Sequence, residues 1–198
     1  MVTFIHLLEG LMIYTAKYKT PLGDILLAAK DDALIGLWFE GQKYYPDFLN
    51  EEITENDNID VIEHTKCWLD RYFRGKNPEI TEQKIELLGS GFQKAVLKIL
   101  CDIPYGKVIT YGEISKKLAK MCGLETMSAQ AVGGAVARNP ISIIIPCHRV
   151  FGKNGSLTGY SGGIDKKIKL LAHEGVNTDK FFASKKAALL ICLTAQYI

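Results

Sequence analysis

The chain has 198 residues, 47% of them hydrophobic and 23% charged, with a formal net charge of +2. This is enough chain for one large or two small globular domains with a real core, and any nucleic-acid footprint must be local rather than spread over the surface. Five cysteines (Cys67, Cys101, Cys122, Cys147, Cys192) form an odd set without a Cys-x-x-Cys pair, which excludes a disulfide framework and points to a reducing, cytoplasmic setting.

Residues Met1–Leu11 lack the basic start and long apolar core of a signal peptide and read as an N-terminal extension, with the patterned sequence beginning at Met12. From Met12 to about Phe39, apolar runs holding Ile13, Leu26 and Leu37 are punctuated by Pro21-Leu22-Gly23-Asp24 and Lys30-Asp31-Asp32, the pattern of a small antiparallel meander. Glu40–Asn58 is polar and irregular, broken by Tyr44, Tyr45 and Phe48. Ile59–Phe73 carries Ile62, Leu69 and Phe73 at helical spacing beside Trp68, and Arg74-Gly75-Lys76-Asn77-Pro78 ends it. The character changes near residue 89, which divides the chain into a domain over 12–89, a second over 90–176 and a tail over 177–198.

In the second domain Phe92, Val96 and Ile99 predict a helix stopped by Pro104-Tyr105-Gly106. Thr110-Tyr111-Gly112-Glu113 matches a capping box, predicting a helix to about Lys120 with Ile114 and Leu118 inward. A turn through Gly123 leads to Ser128, which can cap a second helix over Ala129–Arg138, and the pair reads as a helix-turn-helix. That second helix, Ala-Gln-Ala-Val-Gly-Gly-Ala-Val-Ala, is built of residues small enough for very close approach to another surface. Each glycine costs roughly 1 kcal/mol there. The surface is either a neighbouring helix or a nucleic-acid groove, with Arg138 then facing phosphate.

Pro146-Cys147-His148-Arg149-Val150 follows the apolar run Ile141–Ile145. Proline restrains itself and the residue before it, so the thiol sits on backbone with little freedom. The thiolate is the reactive form of cysteine, and imidazole is one of the few groups that favour it near neutral pH. On these residues alone, a positioned nucleophile and a buried structural cysteine are both open, because neighbours in an extended segment point to opposite faces. Asn154-Gly155 predicts a hairpin turn. Thr158–Gly163 reads as a loop able to enclose a planar ligand, or as a plain helix entry. Ile164–Glu174 is the last helix, with Ile168 and Leu171 inward and Gly175 as its stop. Glu174 at that end opposes the helix dipole unless a cation offsets it, and an imidazolium is one such cation. His6, His64, His148 and His173 show no zinc-ligand spacing with the cysteines, so no metal and no cofactor are expected. The apolar tail Ala187–Ile198 is too short to cross a bilayer.

Taken in order, these motifs resemble the methylated-DNA–protein-cysteine methyltransferases, the O6-alkylguanine-DNA alkyltransferases, from about Met12 to Gly175. The resemblance lies in Tyr105-Gly106-Lys107-Val108, in Ala131-Val132-Gly133-Gly134-Ala135, and in the continuous stretch from Arg138-Asn139-Pro140 through Pro146–Val150 to Tyr160-Ser161-Gly162-Gly163, correctly spaced to Glu174. It implies an α+β fold of two domains: a ribonuclease-H-like antiparallel sheet with a helix, then a mainly helical, winged helix-turn-helix-like catalytic domain. It further implies direct-reversal repair, a single irreversible transfer of an alkyl group from O6-alkylguanine, with O4-alkylthymine a further candidate substrate, to Cys147.

By the same resemblance His148 deprotonates Cys147 through a water, Glu174 supports the imidazole, and Asn139 ties the recognition helix to the active-site segment. Tyr111 assists protonation of the departing guanine. Tyr160, Ser161 and Gly162 close over the base, and Val150 lines the pocket. Arg138, Gln130, Ala131, Gly133 and Gly134 meet double-stranded DNA in the minor groove, largely independent of sequence, with the nucleotide flipped out of the stack. The protein would act as a monomer, without a membrane. Gln130 departs from the family pattern, which has an arginine there to take the extruded base's place. Three alternatives remain: a non-enzymatic alkylated-DNA sensor, a helix-turn-helix regulator and a cysteine hydrolase.

Overall fold

The computed structural model describes residues 12–44, 52–157, 159–179 and 181–183. The expectations for the N-terminal extension, Tyr45, Phe48, Thr158, Cys192 and the tail beyond Ala183 lie outside these residues. By contacts the chain divides into two units. The first runs to Ser90 and also takes in Asn139–Ile145; the second holds Gly91–Arg138 and resumes at Pro146. The sequence reading kept residues 139–145 with the second domain.

The first unit is a four-stranded sheet with one helix. Strands β1 (Met12–Thr20), β2 (Gly23–Lys30) and β3 (Ala33–Phe39) form the expected antiparallel meander. Its turns are local chemistry: the Thr20 hydroxyl accepts from the Leu22 amide at 3.1 Å, and Asp31 takes the left-handed conformation that a tight hairpin needs. A fourth strand, β4 (Glu52–Glu55), lies parallel to β1 and completes the order β3-β2-β1-β4. It falls inside the stretch read as irregular. In its Glu-Ile-Thr-Glu sequence the one apolar residue, Ile53, is exposed, so apolar alternation could not reveal it.

Helix α1 (Asp60–Phe73) buries Val61, Ile62, Thr65, Trp68, Leu69 and Tyr72, an apolar stripe at helical spacing. Gly36 in β3 makes room for Trp38, whose ring would lie 1.6 Å from a Cβ at that position. The outer edge of β3 is covered by passing chain rather than left open. Leu34 exchanges backbone hydrogen bonds with Lys84 and Glu86, while Leu37 donates to Pro140 O at 2.8 Å and accepts from the Ser142 amide at 2.9 Å. Residues 139–145 are therefore held on the first unit's sheet.

The second unit contains helices α2 (Gly91–Cys101), α3 (Tyr111–Met121), α4 (Ala129–Ala137) and α5 (Ile164–His173), with α4 packed on α2 and α3. Strands β5 (Ile109–Thr110) and β6 (Val150–Phe151) pair in parallel, as do β7 (Ser156–Leu157) and β8 (Phe182–Ala183). The predicted hairpin at Asn154-Gly155 is absent. Those residues form a 3-10 turn over Lys153–Gly155, closed by Gly152 N donating to Ser156 O at 2.7 Å, and β6 and β7 each take a different partner. The helix predicted from Phe92, Val96 and Ile99 forms as α2, which turns Val96, Leu97, Ile99 and Leu100 to the core and leaves Phe92 exposed. Both expected caps of the helix-turn-helix form: Thr110 and Glu113 satisfy each other's amides, and the Ser128 hydroxyl accepts from the Ala131 amide at 3.2 Å.

Candidate active site

The site is assembled from the turn after Pro146, the C-terminal end of α5 and the start of α3. Cys147 opens a 3-10 turn over Cys147–Arg149, and all three residues are buried. The short turn does what an extended segment could not, placing three consecutive side chains in one interior. Helix α5 ends in a glycine motif: Gly175 N donates to Ala172 O and Val176 N to Leu171 O, each at 3.0 Å, with Gly175 at φ 74. That fixes Glu174 as the helix cap, with its side chain turned inward and fully covered.

Every acceptor position of the Glu174 carboxylate is used. Oε1 lies 2.7 Å from His148 Nε2 and accepts from Arg149 Nη2 at 3.0 Å; Oε2 accepts from Arg149 Nε at 2.8 Å and from the Gly106 amide at 3.2 Å. Burial works against the charge, but the hydrogen bonds from His148 and Arg149 and the adjacent guanidinium overcome it and hold the carboxyl well below its usual range. Burial also dominates at His148 and, with the charges of Arg149 and Lys167, outweighs Glu174, so its pKa falls below 6.5. The imidazole is thus neutral near pH 7. With Nε2–H spent on Glu174, Nδ1 carries the lone pair, and it makes no hydrogen bond to the described residues. The cation that offsets the helix dipole at Glu174 is therefore Arg149, not the imidazolium read from sequence.

Two further groups surround the thiol. Tyr111 is pushed up by burial and further by the Cys147 charge, so it keeps its proton, and its hydroxyl donates to Gly159 O at 3.3 Å. Lys167 is pulled down to about 8 by burial, with a Cys147 thiolate acting the other way, and its ammonium donates to Val150 O.

Both parts of the chain match descriptions of a single protein family. The 6-O-methylguanine DNA methyltransferase ribonuclease-like domain matches residues 13–87, and the DNA binding domain of the same enzyme matches 91–176. The chain belongs to the 6-O-methylguanine DNA methyltransferase family. It is 34% identical to the methylated-DNA–protein-cysteine methyltransferase of Haemophilus influenzae over 83% of this chain and 87% of that one. Its identity to the Methanosarcina barkeri enzyme is 41%, over 80% and 95%. Among solved structures it is similar to Mycobacterium tuberculosis OGT in complex with DNA, with a TM-score of 0.72 and 37% identity, covering 82% of this chain and 93% of that one. The two-domain α+β architecture is that of the family.

Of the sequence-derived candidates, Cys147, His148, Glu174, Val150 and Tyr160 are buried in the second unit and Tyr111 is half-buried, with Gly162 buried and Ser161 half-buried in the following loop. On α4, Val132, Ala135 and Val136 face the core, whereas Gln130 and Ala131 near its start and Arg138 at its cap are exposed. Gly133 brings α4 against Tyr111: a Cβ there would touch the ring at 3.9 Å. Gly134 lies one turn before Arg138, whose Nη1 donates to its carbonyl at 3.3 Å. An open cleft of about 480 Å³ is lined by Thr110–Gly112, Ala129, Gln130, Gly152 and Lys153, joining Tyr111 to the exposed start of α4. A larger cavity in the first unit, lined by Asp31, Asp60, His64 and Lys84 among others, has no cysteine among its lining residues.

Asn139 lies in the first unit. It braces the loop before Cys147, its Oδ1 accepting from Ile141 N at 3.1 Å and its Nδ2 donating to Ile141 O at 3.2 Å and Ile145 O at 2.9 Å. Within that loop Ile143 is buried at φ 69, a conformation a β-branched residue adopts only under constraint. Three site residues escaped the sequence reading. Arg149 was overshadowed by the Cys-His pair. Gly106 was read only as a helix stop. Lys167 was detectable, because it shares the inward face of α5 with Leu170 and Leu171, where a charge is out of place.

Proposed function

We propose that this chain repairs DNA by direct reversal, moving the alkyl group of O6-alkylguanine onto Sγ of Cys147. The observation that carries this is a buried cysteine followed by a neutral histidine whose Nε2 is tied to Glu174 at 2.7 Å. His148 Nδ1, through a water, takes the thiol proton. The thiolate attacks the alkyl carbon in line, the S–C bond forms as the C–O6 bond breaks, and guanine leaves with a proton supplied through Tyr111. Lys167 stabilises the sulfur's negative charge before attack.

The product is a thioether. It has no carbonyl for water to attack, so each molecule acts once. Helix α4 enters the minor groove with its small residues, Arg138 meets a phosphate, and Gln130 occupies the space of the flipped nucleotide without adding charge. Tyr160, Ser161 and Gly162 close on the base. The protein acts as a monomer in the cytoplasm; Cys67, Cys101 and Cys122 are free thiols, which suits a reducing compartment. No helix among the described residues is long and apolar enough to cross a membrane.

The test is mass spectrometry after incubation with a duplex containing O6-methylguanine. One methyl should be gained on the peptide holding Cys147, and Cys147→Ala should bind the duplex without gaining it. Methyl on another cysteine, or none on folded protein, refutes the assignment.

A further inference from the structure

We propose that Arg149 is a positioning residue that sets the pH range over which His148 serves as a base. The proposal rests on Cys147 being the alkyl acceptor and concerns how its proton acceptor is kept ready. Arg149 is itself fixed on several sides. Its Nη1 donates to Ile103 O at 2.5 Å, its guanidinium lies 5.7 Å from the centre of the Tyr105 ring, and Nε and Nη2 grip the two oxygens of Glu174. A two-pronged grip on a carboxylate fixes its plane as well as its position. Glu174 then has one direction in which Oε1 meets His148, and the imidazole is held with its proton on Nε2 and its lone pair on Nδ1.

The second consequence is one of charge. The groups facing His148 are Glu174 from the cap of α5, Lys167 from α5 itself, Arg149 from the same turn, and Cys147 once ionised; Tyr105, against Arg149 and Glu174, stays neutral. With imidazole neutral, Arg149 and Glu174 cancel. Protonating His148 would add an uncompensated charge to a buried cluster that already contains Lys167. Without Arg149 the balance inverts: the Glu174 carboxylate would be left to pair with an imidazolium, and the base would be spent before it met the thiol.

The experiment measures single-turnover alkylation of the full chain by an O6-methylguanine duplex from about pH 5 to about pH 9, alongside an NMR titration of the His148 ring, for wild type, Arg149→Gln and Arg149→Lys. In Arg149→Gln the acid limb and the ring titration should both move up by about one pH unit, an approximately tenfold loss of rate on the acid side that largely recovers on the alkaline side. Arg149→Lys keeps the charge and loses the two-pronged grip, so its plateau should fall while its limb stays near the wild-type position. A uniform loss at every pH in Arg149→Gln, or an unmoved ring titration, overturns the proposal. Should Arg149→Gln not fold, the lysine variant decides: a limb displaced by a full unit despite the retained charge refutes the charge argument, and an unmoved limb with a lowered plateau supports it. If wild type never alkylates Cys147, the parent reading fails, yet the ring titrations still judge Arg149.

Discussion

Replacing Asn139 by alanine should destabilise the first unit and slow alkyl transfer, because this side chain is the brace of the loop that leads to Cys147. It removes the hydrogen bonds to Ile141 N, Ile141 O and Ile145 O, all from a residue only 2% exposed. Ile141 O keeps a bond from the Ile145 amide at 3.1 Å, so the stranded groups are Ile141 N and Ile145 O. Leaving a buried group without a partner costs about 1–3 kcal/mol, which gives roughly 4 kcal/mol for the two. Part returns as Ile143 relaxes from its constrained φ, a release of about 1 kcal/mol or more. The net loss is about 3 kcal/mol, or roughly 6–12 °C in the midpoint of thermal unfolding for a chain of this size. Calorimetry or circular dichroism measures it. Asn139→Asp separates the bonds further: it keeps the acceptor for Ile141 N but points oxygen at two carbonyls, so near neutral pH it should cost at least as much as alanine. A shift below about 2 °C for both variants would refute the bracing argument.

Gly106→Ala should distort the site, since φ 69 is strained for alanine and its Cβ would lie 2.9 Å from the Glu174 carbonyl oxygen. Expected is a destabilisation of about 1–3 kcal/mol with a slower single-turnover rate; wild-type melting and rate would contradict it. His148 has its pKa lowered in the fold, so between that value and 6.5 the unfolded chain binds the extra proton. Stability should therefore fall as pH drops through that window, and the slope should flatten in His148→Gln when denaturation midpoints are compared. Glu174 adds a second loss at lower pH, from 4.5 downward, because its folded pKa is also depressed. Arg138→Ala should weaken binding to all duplex sequences alike and reduce the salt slope by about 0.9, measured by fluorescence anisotropy. An unchanged slope would remove Arg138 from the interface.

Much of this protein was legible in the chain because the signals are local. The meander follows from alternating apolar residues and turn chemistry, α3 from Thr110 and Glu113, α4 from Ser128, and the end of α5 from Gly175. The cysteine before a histidine, the small-residue helix and the distant Glu174 pointed to one chemistry, and the family match agrees with it. What the sequence could not determine was long-range. The strand Glu52–Glu55 exists because β1 offers it an edge, not because of any pattern of its own. Asn154-Gly155 had hairpin chemistry, yet its flanking strands found parallel partners elsewhere. Only folding brings Arg149, Lys167 and Gly106 around His148 and Glu174, and so decides which groups there are charged: the energy of a buried charge depends on neighbours far away in sequence, whereas turns and caps depend on residues three or four positions apart.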